Sequence, residues 1–342
     1  MYDAVAIAMV TLQHVRRHNN GLRNRACGLV AVFTGATRGI GLATVRELLR
    51  HLVEPIIYLV GRSAAKFADE AQRLQLLNSG AQIRFIEADV SLLREIDRVC
   101  ELVLGAETKL DLLFMSQGFI PLSGPEYTTE GIDSCMSLSH YGRVRLVHKL
   151  LPLLRLSDSP RVVSVLAGGS EKRLVEDDMG LRATYSMMSA VNHIACLQTL
   201  ALAHLAANNP EVCFIHGHPG LVKTSIVSNA FSTPAQGFFD AVTRFFGSWV
   251  VGPLFNMIAM SEQESGERHA FLVTSTDYMS PAASKLRGRE QHQQVGLMNG
   301  LYLVNSYGEL RADWPLLEKW MNDGAVEKAW SHTLHVFDTV LT

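Results

Sequence analysis

A short apolar run near the start of this 342-residue chain leads directly into three closely spaced glycines. The run from Leu29 to Phe33 is typical of a buried parallel strand, and a helix-like segment follows Gly41 as far as Leu52. Glycines at such a turn let backbone N–H groups at the helix N-terminus approach a phosphate, which the helix dipole attracts. The segment therefore predicts a site for the pyrophosphate of a dinucleotide.

The glycine segment has the spacing T-G-x-x-x-G-x-G. With this spacing, the chain from about Leu29 to Thr224 resembles the short-chain dehydrogenase/reductase family. The resemblance implies an α/β fold with a doubly wound parallel sheet, the Rossmann fold, in three α/β/α layers. It also implies that the glycine segment binds a nicotinamide dinucleotide through Thr34, Gly35, Arg38, Gly39, Ile40 and Gly41.

The end of the second predicted strand, Ile56 to Val60, distinguishes between the two nicotinamide cofactors. An acidic residue there favours NAD, because it binds the ribose 2′-hydroxyl. This chain has Arg62 instead, and a guanidinium suits a 2′-phosphate. Arg38 can reach the same side, although either arginine alone could be a solvated surface charge. We therefore predict NADP(H) as the cofactor.

Six further residues, in three places along the chain, are cofactor contacts by resemblance to the family. Asp89 follows the third predicted strand, where an aspartate binds the adenine amino group, although it could also be the N-cap of the next helix. Gly118 ends the segment after the fourth strand and allows close backbone approach. The turn after the sixth strand matches the family's Pro-Gly-x-Val-x-Thr pattern through Pro219, Gly220, Val222 and Thr224.

The catalytic signature of the family is only partly present. Tyr185 matches the tyrosine, but Ser189 replaces the lysine four residues later, a spacing that on a helix places both side chains on one face. The substrate-orienting serine is Ala167, and Ser170 could substitute if the loop folds back. Ser139 replaces the asparagine. The candidate catalytic residues are thus Tyr185, Ser170 and Ser189, whereas the neighbouring His140 is interpreted as a packing residue.

The loss of the lysine affects the two directions of the reaction differently. A tyrosine pKa of about 10 leaves the hydroxyl protonated at pH 7, which suits the acid of ketone reduction and not the base of alcohol oxidation. Lys172 or His193 could supply some positive field. We predict an NADPH-dependent, ketoreductase-type oxidoreductase that acts on a bulky apolar carbonyl compound. The alternatives are a non-redox isomerase, dehydratase or cyclase, and a catalytically inactive NADP-binding protein.

Several segments, including Arg161 to Leu166 and Glu264 to Arg268, are similar to a divergent fungal branch of the family. Members of that branch are associated with secondary-metabolite biosynthesis, which the resemblance implies for this chain as well. The net charge of −2 gives no support for nucleic-acid binding. The cysteines lack metal-ligand spacing, so we predict no metal site, and they are typical of reduced core residues in a cytoplasmic protein.

The domain organisation is predicted as a helical extension over residues 1–28 and a single Rossmann domain over 29–342. Within the domain, 225–275 would form an apolar substrate lid and 300–342 a C-terminal segment. The uncharged run Phe245 to Met260 is short for a transmembrane span. Three interpretations of it stay open: a lid over the substrate, a dimer contact, or docking on a membrane surface. The family often forms homodimers through the helices predicted at Gly131 to Leu154 and Tyr185 to Ala207, but the long segment after Thr224 could favour a monomer.

Overall fold

The computed structural model describes residues 10–24, 27–119, 124–223, 259–287 and 300–342. In these residues seven strands form one sheet in which every pairing is parallel, in the order β3-β2-β1-β4-β5-β6-β7. The strands are β1 (Val30–Thr34), β2 (Ile56–Gly61), β3 (Gln82–Glu87), β4 (Leu112–Met115), β5 (Arg161–Val165), β6 (Cys213–Gly217) and β7 (Leu301–Val304). The predicted doubly wound parallel sheet is confirmed.

Helices cover both faces of the sheet. They are α1 (Leu12–Asn20), α2 (Gly39–His51), α3 (Ala64–Leu77), α4 (Leu93–Ala106), α5 (Ser134–Met136), α6 (Gly142–Leu154), α7 (Met187–Asn208), α8 (Glu262–Thr274), α9 (Pro281–Leu286), α10 (Trp314–Asn322) and α11 (Ala325–Leu341). Alternate residues of the buried strands belong to different cores: Val30 and Val32 pack with α4, α6, α7 and α11, while Ala31 and Phe33 pack with α1, α2, α3 and α8.

The helix predicted from Gly131 to Leu154 differs from the observed structure in its first half. The Asp133 side chain accepts a 2.9 Å hydrogen bond from the Met136 N–H and begins a short helical turn at Ser134. A π-helical turn over Ser137–Tyr141 then separates that turn from α6. Such π-turns occur frequently at functional sites, and this one contains Ser139, which replaces the family asparagine.

The predicted lid is described only in part, because residues 224–258 lie outside the described residues. The remainder includes α8, which packs directly on α2: a Cβ at Gly266 would be 2.6 Å from the Ala43 carbonyl oxygen. Helix α1 of the N-terminal segment is joined to α8 by a 2.9 Å ion pair between Arg16 and Glu267. Helix α8 is therefore part of the domain core.

Helix α7 is the one described helix long and apolar enough, by length and composition alone, to cross a membrane. Most of that stretch, 78%, is buried within the fold. One side packs on the sheet and another is covered by α11, where the rings of His204 and Trp330 stack 4.4 Å apart. This is the environment of a core helix. The cysteines are free, and Cys27 is exposed whereas the other four are buried, so the prediction that all five lie in the core is wrong for Cys27.

Candidate cofactor and catalytic site

The glycine turn between β1 and α2 leaves no space for side chains on its inner surface. Gly35 and Gly39 have φ angles of +75° and +61°. A Cβ at Gly35 would lie 2.2 Å from the Gln117 backbone nitrogen, and one at Gly41 would lie 2.7 Å from Ser116 Oγ. The turn is therefore held tightly against the residues that follow β4, at the point where the sheet order reverses between β1 and β4. Ligands of such sheets bind in the crevice at this point.

The first turn of α2 is open to an anion. Arg38 is its N-cap residue, and its side chain makes no capping hydrogen bond. The amides that follow, from Gly39 through Gly41, are at the positive end of the helix dipole. Thr34 ends β1 and donates a 2.6 Å hydrogen bond to Gln117 Oε1, which ties β1 to the segment after β4. These features fit the pyrophosphate of a dinucleotide.

The two arginines proposed for the 2′-phosphate lie on neighbouring segments. A Cβ at Gly61, the last residue of β2, would be 2.6 Å from Thr37 Cγ2, so the end of β2 touches the glycine turn. Arg62 and Arg38 are the next residues on the two segments, and both are exposed. Neither forms a side-chain hydrogen bond or ion pair with the part of the chain that the structure describes.

Asp89 does not cap α4, so that alternative for this residue is wrong. Its Oδ1 accepts a 3.0 Å hydrogen bond from the Ser91 N–H, and α4 begins four residues after Asp89 with Leu92 as its N-cap. Glu130 caps α4 from a distance, since its carboxylate accepts hydrogen bonds of 2.6 and 3.0 Å from the Leu93 and Arg94 amides. Asp89 is half-buried after β3, where the family pattern places the adenine contact.

The remaining cofactor candidates lie at the carboxyl ends of β4 and β6. Gly118 leaves open space, because a Cβ there would meet its nearest atom, Ser139 Oγ, at 3.5 Å. Gly220 has a φ angle of +71°, and its N–H donates a 3.0 Å hydrogen bond to His218 Nδ1 across Pro219. Val222 pairs with the segment before α8. Thr224 lies outside the described residues.

Tyr185 is not on a helix, which corrects the expectation that it shares a helical face with Ser189. Helix α7 begins at Met187, because the Ser186 side chain accepts a 3.1 Å hydrogen bond from the Ser189 N–H and caps the helix. The Ser189 hydroxyl is 2.7 Å from the Ser186 hydroxyl. Ser189 is therefore bonded to the cap, and no hydrogen bond between described residues joins it to Tyr185.

The Tyr185 hydroxyl is shielded from solvent and has no hydrogen-bond partner within the described ranges. Burial, followed by the nearby Asp133 carboxylate, raises the pKa of Tyr185 to about 12. The groups proposed to lower it do not converge there. His193 accepts from the Val175 N–H at 3.1 Å and its Nε2 lies 2.9 Å from the Met179 carbonyl oxygen, while Lys172 is exposed. The phenol is thus a fully protonated group at neutral pH.

Ser170 ends a tight turn that begins at Ala167. Its N–H donates a 3.0 Å hydrogen bond to the Ala167 carbonyl oxygen, which closes a tight turn after β5. Gly169, the third residue of that turn, has a φ angle of +77°, as a type II turn requires. The turn brings Ser170 next to Ala167, the residue at the family's serine position. No hydrogen bond links Ser170 to Tyr185 in the described part of the chain.

Comparison with known proteins settles the family. The family model for short chain dehydrogenases matches residues 29–234, which is more than half of the chain. The chain belongs to the short-chain dehydrogenase family. It is 38% identical to Oxidoreductase lepF of Aspergillus flavus, over 97% of this chain and 98% of that protein. It is 35% identical to Oxidoreductase AN1596 of Emericella nidulans, over 96% and 98%.

A solved structure shares the fold. The L-sorbose reductase of Gluconobacter frateurii, crystallised with NADPH and L-sorbose, superposes with a TM-score of 0.55 over 75% of this chain and 92% of that chain, at 19% identity. Family and relatives together make this short-chain dehydrogenase an NAD(P)-dependent oxidoreductase, and the glycine turn supplies the cradle that such a cofactor needs.

One residue at the site that the sequence did not reveal is Arg143. It is fully buried in α6, and its guanidinium donates to Ser164 Oγ at 2.7 Å and to the Val165 carbonyl oxygen at 3.0 Å. It also donates to the backbone carbonyls of Met115 and Gln117. Burial lowers its pKa to about 9. Arg143 thereby joins the carboxyl ends of β4 and β5 beneath Gly118.

A polar chain extends from Arg143 to the C-terminal helix. Ser164 Oγ accepts a 3.3 Å hydrogen bond from Gln198 Nε2, and Gln198 Oε1 lies 3.3 Å from His140 Nδ1. On its other side His140 Nε2 is 2.9 Å from Thr333 Oγ1 on α11. His140 is fully buried, as expected of a packing residue. The sequence signal that could have revealed this network is the presence of polar residues in α6 and α7 at positions where the pattern expects core residues.

Proposed function

We propose that this protein is an NADPH-dependent carbonyl reductase, of the ketoreductase type, that acts on a bulky apolar carbonyl compound. The observation that carries the proposal is Tyr185, a protonated hydroxyl that is shielded from water and has no hydrogen-bond partner in the described part of the chain. A bound carbonyl oxygen would accept this hydrogen bond. Tyr185 would then protonate that oxygen as hydride reaches the carbonyl carbon.

The preference for NADPH rests on the surroundings of Arg38 and Arg62. Both are exposed beside the glycine turn, and no carboxylate in the described ranges neutralises either of them. A 2′-phosphate is a dianion that guanidinium groups bind through paired hydrogen bonds. NAD lacks this group, so these arginines would add affinity only for NADP(H).

An apolar substrate is supported by exposed apolar side chains close to Tyr185 in the chain. Met187 and Met188, in the first turn of α7, are 42% and 61% exposed, and Val191 one turn later is 40% exposed. Tyr127, close enough to Tyr185 to influence its pKa, is 59% exposed. Flexible methionines and a large aromatic ring suit a bulky apolar molecule.

The biological setting is a further part of this proposal. Fungal oxidoreductases among the relatives support a role in secondary-metabolite biosynthesis. A cytoplasmic location is proposed from the free cysteines alone. A small apolar molecule would be the partner of this site. The apolar lid remains a prediction for the part of 225–275 that precedes α8, because α8 itself packs in the domain core.

A second candidate is favoured by one specific observation. No cation in the described residues forms a hydrogen bond with the Tyr185 hydroxyl, and Ser189 is bonded to the helix cap. Without the lysine, nothing there lowers the tyrosine pKa or holds the nicotinamide ribose. A nucleotide-binding protein without redox turnover would have this arrangement.

Binding and turnover of the purified protein separate the two candidates. NADPH should bind at least about tenfold more tightly than NADH, and the loaded protein should reduce apolar ketones or quinones. Tyr185→Phe should lower the reduction rate by about 10²-fold or more. Tyr307→Phe is the matched control, because this exposed tyrosine lies after β7, outside the catalytic segment. Tight NADPH binding with no turnover of any carbonyl would favour the second candidate.

A further inference from the structure

Three polar side chains are buried together beneath the turn that follows β5. Glu171 lies just after that turn, Thr199 is in the middle of α7, and His216 is in β6. They are 7%, 0% and 0% exposed. Neither the family signature nor the cofactor site accounts for them, and buried polar groups of this kind require partners.

The hydrogen bonds among them have one consistent direction. The Ala167 N–H donates to His216 Nε2 at 3.4 Å, so the ring proton must be on Nδ1. His216 Nδ1 then donates to Thr199 Oγ1 at 2.8 Å. The Thr199 hydroxyl in turn donates to Glu171 Oε1 at 2.5 Å. Burial lowers the pKa of His216 to about 3, in agreement with a neutral ring that accepts at Nε2.

Both ends of this series of hydrogen bonds hold the same turn. At one end His216 binds the Ala167 amide, and at the other Glu171 Oε1 accepts a 3.1 Å hydrogen bond from the Gly169 N–H. Between these two amides the backbone presses on β6, since a Cβ at Gly168 would be 2.0 Å from the His216 carbonyl oxygen. The turn over residues 167–170 is thus fixed from the core at two of its amides.

We propose that Glu171, Thr199 and His216 are positioning residues that fix the turn of residues 167–170, so that the Ser170 hydroxyl meets the substrate carbonyl. This rests on the proposed reductase function. In the family pattern the hydroxyl would come from the position of Ala167, two residues after the end of β5. Ser170 lies on a loop, so its placement needs separate support, and pre-set geometry is a large part of catalytic rate.

The first test is the exchange of backbone amides, which requires no turnover. Thr199→Val keeps the shape of the side chain but removes the link between His216 and Glu171, whereas Thr199→Ser keeps the hydroxyl. Exchange of the Ala167 and Gly169 amides should be about tenfold faster or more in Thr199→Val and unchanged in Thr199→Ser. Unchanged exchange in Thr199→Val would overturn the proposal.

The second test is kinetic. Thr199→Val should lower kcat/KM for an apolar ketone by about tenfold while NADPH binds as before, and Thr199→Ser should restore it. Adding Thr199→Val to Ser170→Ala should lower kcat/KM little further, because both substitutions act through the same hydroxyl. Faster exchange without any change in kcat/KM, or full additivity of the two substitutions, would refute the role of Ser170. No turnover by the unsubstituted protein would refute the reductase function and with it the role of Ser170. Amide exchange alone would then test whether Glu171, Thr199 and His216 fix the turn.

Discussion

The buried histidines predict a fold that loses stability in mild acid. His140, His216 and His269 are 0%, 0% and 6% exposed, and burial lowers their pKa values to about 3, 3 and 4. In the unfolded chain a histidine titrates near 6.5, so the unfolded state binds more protons between that value and the folded pKa. The stability that these neutral rings contribute is therefore present above about pH 6.5 and is lost as the pH falls.

The size of the effect follows from the same values. Each of the three histidines lowers the free energy of unfolding by about 1.4 kcal/mol for every pH unit below about 6.5. Between pH 7.5 and 5 this amounts to about 2 kcal/mol for each histidine. The three together approach about 6 kcal/mol, which is comparable to the whole stability of a typical domain. Burial also raises the pKa of Glu171, which works in the opposite direction, but this is one group against three.

Urea unfolding at closely spaced pH values measures this directly. The free energy of unfolding should change little from pH 7.5 to about 6.5 and then fall steadily to pH 5. His140→Gln should reduce the slope below pH 6 by about one histidine's share, about 1.4 kcal/mol per pH unit, whatever it does to stability at pH 7.5. His14, an exposed residue of α1, gives the control substitution His14→Gln. A flat or rising free energy as the pH falls would refute the reasoning.

Three other outcomes can be measured with simple variants. Arg62→Asp should weaken NADPH binding by about 10- to 100-fold and leave NADH binding unchanged or stronger, whereas the exposed Arg287→Asp should alter neither. Gly41→Ala should destabilise the fold and weaken dinucleotide binding, because the new Cβ would lie 2.7 Å from Ser116 Oγ, whereas Gly105→Ala in α4 has no atom within 4 Å and should be stabilising by about 0.5–1 kcal/mol. Because α11 covers α7, sedimentation should show a monomer of 37.7 kDa, and twice that mass would contradict it.

The parts of the fold that could be predicted are those in which local pattern and burial agree. The apolar run before Thr34 is typical of a strand covered on both faces, and the glycines after it mark the turn into α2. Positive φ angles at Gly35 and Gly39 confirm the reason for those glycines. The strand order then follows from the family's doubly wound topology, which is why this half of the site could be assigned from sequence.

The catalytic half was harder because hydrogen bonds between distant residues determine it. Ser186 ends the loop and starts α7, so a spacing of four residues after Tyr185 did not mean a shared helical face. Asp89 failed as a cap because Glu130, distant in sequence, already caps α4. The buried Arg143 donates its hydrogen bonds largely to backbone carbonyls, and such partners leave no signature in the sequence.

The protonation state of Tyr185 predicts how the two directions of the reaction depend on pH. With a pKa of about 12, raised by burial and then by Asp133, about one hydroxyl in 10⁵ is ionised at pH 7. Reduction uses the protonated form and should be nearly independent of pH between 6 and 9 at saturating NADPH and ketone. Alcohol oxidation with NADP⁺ uses the ionised form, so its rate should rise about tenfold per pH unit over the same range.

Steady-state kinetics in both directions, with the same ketone and alcohol pair, would measure these slopes. Tyr185→Phe should remove the pH dependence of oxidation together with its rate. Equal slopes in the two directions would mean that another group exchanges the proton with substrate. An oxidation rate that levels off below pH 8 would mean that a cation brought near by the bound cofactor lowers the tyrosine pKa in the working complex, which is the role that the family gives to its lysine and that Ser189 cannot perform.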